Sequence, residues 1–99
     1  MVKHQSHGER VKAAILTTGL ALWRENAGSV SARRIAKRLN ITHAAVLYHY
    51  GTAAAMHDAI ACEAVRIGDA AIVPMLIAAK HPAADSLSAT DRRRFLAGC

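Results

Sequence analysis

The chain has 99 residues, 53% of them apolar and 4% aromatic, with thirteen Lys and Arg against seven Asp and Glu for a net charge of +6. That length gives one domain with a thin burial margin, which a second subunit would relieve. The apolar share excludes a disordered chain, and an alanine-rich, aromatic-poor mix favours packed helices over a sheet.

In chain order, residues 1–8 are polar and expected to fray. From Glu9 to Glu25, Val11, Ile15 and Leu22, with Leu16, Leu20 and Trp23 one row over, recur at helical steps. Glu9 near the start and Arg24 near the end suit the helix dipole. Asn26-Ala27-Gly28-Ser29 reads as a turn. Ser31 is a good N-cap for a second, short helix over 32–39, with Ile35, Ala36 and Leu39 on one face and Arg33, Arg34, Lys37 and Arg38 on the other. Asn40 stands where the chain must bend, and it tolerates the left-handed conformation well. Thr42 caps a third helix over 43–50, with Val46 and Tyr50 inward.

Gly51 ends that helix, and Thr52 caps a long fourth one expected to run to about Val73, where Pro74 ends it, kinks it or opens a new helix. Residues 75–80 are expected to be helical. Lys80-His81-Pro82 is a break, and Ser88 with Asp91 three positions on resembles a capping box for a last helix to Ala97. The apolar run Ala70 to Ala79 is interrupted by Pro74 and is far short of the roughly 20 residues a membrane span needs. No apolar stretch precedes Val11, so a secretory signal is not expected. Cys62 and Cys99 make no disulfide framework. The expected compartment is the cytoplasm, with Cys62 in a core or interface.

Charge is unevenly placed. Residues 1–50 carry eight cations and two anions, and residues 51–99 carry five of each. A polyanion-binding half therefore adjoins a neutral half that packs on something. The order Ile35, Ala36, Leu39, Asn40, Ile41, Val46 has the spacing of a helix-turn-helix. A small Ala36 lets two helices cross closely, Asn40 bends the chain, and Val46 pins the second helix to the core. The outward face of that helix is then free to enter a major groove. The six histidines do not form a set with Cys or carboxylate at ligand spacing, and no phosphate loop, carboxylate pair or Cys/His arrangement is present. Neither a metal, a cofactor nor catalysis is expected.

The stretch Ile15 to Trp23, followed by Ser31-Ala-Arg-Arg-Ile-Ala-Lys-Arg-Leu-Asn-Ile-Thr-His-Ala-Ala-Val-Leu-Tyr-His-Tyr-Gly-Thr52, resembles the DNA-binding domain of tetracycline-repressor-type regulators over about residues 9–67. The resemblance implies an all-α fold: a three-helix bundle with a helix-turn-helix head (1–52) and short dimerisation helices (53–97) in one compact unit. It also implies a homodimeric repressor on a pseudo-palindromic operator in double-stranded DNA. Carried over residue by residue, Ser31 and Arg33 touch phosphate and a base, and Thr42 a phosphate. His43 and Ala44 read bases, Tyr48 faces the groove, and His49 contacts phosphate. Arg33 could fork onto guanine, and Ala44 and Ala45 could meet thymine methyls. Arg34 and Lys37 are expected on phosphates.

Three departures stand out. Leu47 replaces a usual Tyr, Ala53 replaces a usual Lys, and about thirty residues follow the matched region where the family adds a large ligand-binding domain. A small-molecule inducer is therefore not expected, and the compact form resembles regulators of plasmid or phage origin. The dimer interface is expected on Ile67, Ala71, Ile72, Met75, Leu76 and Ala79. The alternative is a protein-interaction module that binds another regulator or polymerase, with vestigial DNA binding.

Overall fold

A computed structural model describes residues 7–97. The start of the chain and Cys99 lie outside the described residues. Among those described, the fold is all-α, with no strand: α1 (His7–Glu25), α2 (Ala32–Leu39), α3 (His43–Tyr50), α4 (Ala53–Ile67), α5 (Ile72–Ala78) and α6 (Ala89–Ala97), with short 3-10 turns over Ala27–Ser29 and Pro82–Ser86. Helix α1 begins at His7, so residues 7 and 8 are helical rather than frayed.

The helix boundaries follow from local chemistry. Ser31, Thr42 and Thr52 each take an extended conformation, and each hydroxyl oxygen accepts the N–H three residues on, from Arg34, Ala45 and Ala55 at 3.1, 3.0 and 3.0 Å. Each cap satisfies a donor that the helix start leaves unpaired. Asn40 ends α2 in the left-handed region at φ 57°, and the Ile41 N–H then donates back to the Ala36 carbonyl at 3.0 Å. This closure turns the chain within two residues and delivers Thr42 to the start of α3.

Helix α1 packs against α2, α3, α4 and α5, so it is the common wall of the bundle. Its Ile15, Leu20, Leu22 and Trp23 join Val30, Ile35, Ala36, Val46, Met56 and Ile60 in one core. At Gly19 the helices α1 and α4 come so close that a Cβ there would lie 2.4 Å from Ile60 Cδ1.

The expected long fourth helix is two helices. Gly68, at φ 67°, ends α4 at Ile67, and the Asp69 N–H donates to the Ala64 carbonyl at 2.9 Å. Asp69 then starts α5: its Oδ1 accepts the N–H groups of Ala71 and Ile72, both at 2.9 Å. Its Oδ2 accepts from Arg24 Nε at 2.7 Å and pairs with the same guanidinium at 2.5 Å. Pro74 sits in the first turn of α5, where its missing N–H leaves no gap. Past α5, His81 Nδ1 accepts the Ala83 N–H and so caps the second 3-10 turn. Ser88 caps α6 by accepting the Asp91 N–H at 3.1 Å, whereas the Asp91 carboxylate pairs with Arg94 rather than closing the box. Cys62 is exposed on α4, not in the core.

Candidate nucleic-acid interface

Helices α2 and α3 pack closely on each other, and both rest on α1. Burial fixes the orientation of α3. Val46 is fully buried, Leu47 and Tyr50 are half-buried against the core, and the Tyr50 hydroxyl donates to the Lys12 carbonyl at 3.3 Å. Burial, and then the nearby Glu63 carboxylate, push the Tyr50 hydroxyl above its ordinary pKa. With those three side chains inward, a helix that advances about 100° per residue turns Ala44, Ala45 and Tyr48 outward. Tyr48 is 84% exposed, Ala44 is exposed and Ala45 half-buried. His43 stands exposed at the first position of α3, on the same row as Val46, Leu47 and Tyr50, whereas His49, half-buried, borders the strip, and its ring meets the Tyr48 ring edge-on at 5.4 Å.

Of the two packed helices α2 and α3, α2 carries the formal charge. Arg33, Arg34 and Lys37 are exposed and make no ion pair among the described residues. Arg38 differs: its guanidinium pairs with Glu25 at the end of α1 at 3.1 Å. The four-cation face read from the sequence is thus three open cations and one neutralised by a residue thirteen positions earlier. No helical spacing signals that pairing, because it depends on how α1 and α2 cross. Ser31 and Thr42 spend their acceptor oxygens on capping, which leaves each hydroxyl proton available to an anion. Lys12, from α1, lies over the Tyr50 ring at 5.5 Å and adds a cation that sequence spacing did not associate with α3. Leu47, where the resembled family has Tyr, serves packing, and Ala53 is exposed at the start of α4 with no charge to offer.

The six residues expected at a subunit interface do not share one surface. Ile72 is fully buried and Leu76 is 1% exposed, both in this chain's own core, because the Gly68–Asp69 break folds α5 back onto the bundle. Ile67 and Met75 are 45% and 39% exposed, and Ala71 and Ala79 are also at the surface. An open groove of about 450 Å³ lies at the α4–α5 corner, lined by Ile67, Gly68, Ala70, Arg94 and Phe95. Among the described residues no group of three His, Cys, Asp or Glu is placed to hold a metal ion, and no helix is long and apolar enough to cross a membrane. His57 and His81 stand against Trp23, and His81 Nε2 faces Asp58 at 3.6 Å. No family model, curated protein or solved structure matches the chain.

Proposed function

We propose that this chain is a homodimeric, sequence-specific DNA-binding regulator, with α2 and α3 as a helix-turn-helix and α3 as the helix that enters the major groove. The observation that carries this reading is the exposed strip of α3, clear of the core, on a helix packed against α2 with its three open cations. A helix fits the major groove, and cations beside it meet the phosphates on the groove's walls. Arg33, Arg34 and Lys37 with the hydroxyls of Ser31 and Thr42 and the ring of His49 set the position, and His43, Ala44, Ala45 and Tyr48 meet base edges. Two copies place their reading helices about 34–36 Å apart on a pseudo-palindrome and repress by occluding a promoter. The exposed side chains of Ile67, which lines the corner groove, and of Met75 on α5 supply the apolar part of the subunit contact.

Selection of bound duplexes from a random pool tests this directly. A recovered consensus with two-fold symmetry is expected, with affinity falling by a log–log salt slope of about −0.9 per phosphate neutralised. A pool that returns no enriched sequence, or binding indifferent to salt, refutes it. The other reading, a protein-interaction module, draws on the same corner groove and on an α3 that holds no Lys or Arg. It requires a chain that is monomeric by light scattering and retards no DNA.

A further inference from the structure

Helix α3 has no fixed charge at all. Its sequence is His-Ala-Ala-Val-Leu-Tyr-His-Tyr, with one imidazole exposed at its N-terminal position and the other half-buried at its seventh position, bordering the exposed strip. We propose that duplex DNA binding by this chain is coupled to proton uptake at His43 and His49, so that the site tightens as pH falls through the neutral range. The inference rests on the DNA-binding reading above. Imidazole is the side chain whose ordinary titration lies between pH 5 and 8, and a neighbouring anion favours its charged form.

Nothing within the described residues neutralises these two rings before DNA arrives. Among the described residues neither His43 nor His49 makes a hydrogen bond or ion pair, and the His49 ring meets the Tyr48 ring edge-on. The charged groups of the helices packed on α3 are cations or have partners of their own. On α1, Glu9 and Arg10 are both engaged, Lys12 lies over Tyr50, Arg24 holds Asp69, and Glu25 is held by Arg38 of α2. Also on α2, Arg33, Arg34 and Lys37 are open cations. On α4, Glu63 is held by Arg66 through two hydrogen bonds, and Asp58 faces His81. Phosphates brought alongside α3 therefore give each imidazole an anionic partner that it lacks among the described residues. Histidine in this arrangement turns part of the phosphate contact on and off with pH, which Lys or Arg would not do.

The test uses the full chain and a fluorescent duplex recovered from the random pool, with anisotropy measured from pH 6 to pH 8 at constant ionic strength. Each proton taken up changes Kd by up to about tenfold per pH unit within the titration range. A rise in Kd of more than about tenfold across the window is expected, and His43→Gln and His49→Gln should each flatten it. His57→Gln, at a ring packed on Trp23 away from α3, should keep the full dependence. Far-UV circular dichroism of each variant confirms that it is folded. Binding with the same pH dependence in wild type and in the double variant overturns proton uptake at these rings and leaves the DNA-binding reading standing. Absence of binding at every pH overturns both.

Discussion

Asp69 is the residue whose removal should damage the fold most for a single polar side chain. It is 8% exposed and does three things at once. It caps α5 through Ala71 and Ile72, and it anchors Arg24 at the end of α1. It also sits at the break that lets α5 fold back with Ile72 and Leu76 inside. Replacing it by Ala removes a cap worth about 1 kcal/mol. Because one of the capped groups is the buried Ile72 N–H, the loss of the cap lies toward the upper end of about 1–3 kcal/mol for a donor left unpaired. The Arg24 pair adds little, because that guanidinium is 44% exposed and solvent replaces much of the interaction. The expected loss is about 1–3 kcal/mol, against about 5–15 kcal/mol for a whole domain of this class.

Asp69→Asn keeps an oxygen for the two N–H groups and loses only the charge, so it should cost about half as much. The pH response separates the two contributions. Burial raises the Asp69 carboxyl, but the Ile72 N–H, Arg24 and the Ala71 N–H together outweigh it and hold the group below its ordinary value of 3.8. A carboxyl lowered on folding stabilises the native state above that ordinary value, and the stabilisation is lost as pH falls through the lower folded value. Urea denaturation followed by circular dichroism should therefore show a wild-type stability that declines below about pH 4 more steeply than that of Asp69→Asn. An Asp69→Ala variant within about 0.5 kcal/mol of wild type at neutral pH would refute the assignment.

Three further outcomes follow from the packing. Gly19→Ala puts a methyl 2.4 Å and 2.8 Å from Ile60 Cδ1 and Cγ1. It should cost about 1–3 kcal/mol in thermal or urea unfolding, and adding Ile60→Val should recover part of the loss. Asn40→Gly should be nearly neutral in stability, whereas Asn40→Val, a β-branched residue at φ 57°, should lose about 1–2 kcal/mol and broaden the amide spectrum of α3. On the proposed dimer, Ile67→Lys with Met75→Lys should shift sedimentation toward monomer without lowering the helical content, since both side chains are already exposed. An unchanged sedimentation profile would place the subunit contact on another face.

The elements that could be read from the sequence were those set by local chemistry. Ser31, Thr42, Thr52 and Ser88 are caps in a short range that carries its own signal, and Asn40 bends the chain as its residue type predicts. The all-helical character follows from the same periodicity that puts Ile15, Leu22 and Val46 in the core. What local chemistry does not set depends on distant partners. The apolar run from Ala70 reads as continuous with α4, with Gly68 and Asp69 inside one helix, whereas Asp69 is stabilised at the break by Arg24, forty-five positions earlier. Apolar residues beyond a long helix look unpartnered, so Ile72 and Leu76 read as interface residues although the break turns them into the core. Arg38 follows the same rule: helical spacing groups it with Arg33, Arg34 and Lys37, and only the crossing of α1 and α2 brings Glu25 beside it.

The charge asymmetry between the two halves of the chain becomes, in three dimensions, a difference between two neighbouring helices. Phosphate attraction acts over about 8–10 Å at moderate salt and is indifferent to sequence, whereas reading a base requires contact with its edge. With the open cations on α2 and none on α3, the proposed interface separates these tasks. Arg34→Ala or Lys37→Ala should weaken binding to selected and random duplexes alike and reduce the salt slope by about one unit each. Tyr48→Ala removes the most exposed side chain of the strip without touching a charge or the core. It should leave the salt slope unchanged and narrow the affinity ratio between selected and random duplexes. Arg33 distinguishes the limiting cases. A fork onto guanine predicts a loss of about 1–3 kcal/mol confined to one base pair, whereas a phosphate contact predicts an equal loss on every sequence. If Arg34 or Lys37 altered the preferred sequence while Tyr48 did not, the groove-reading element would be α2, and α3 would serve only to hold it.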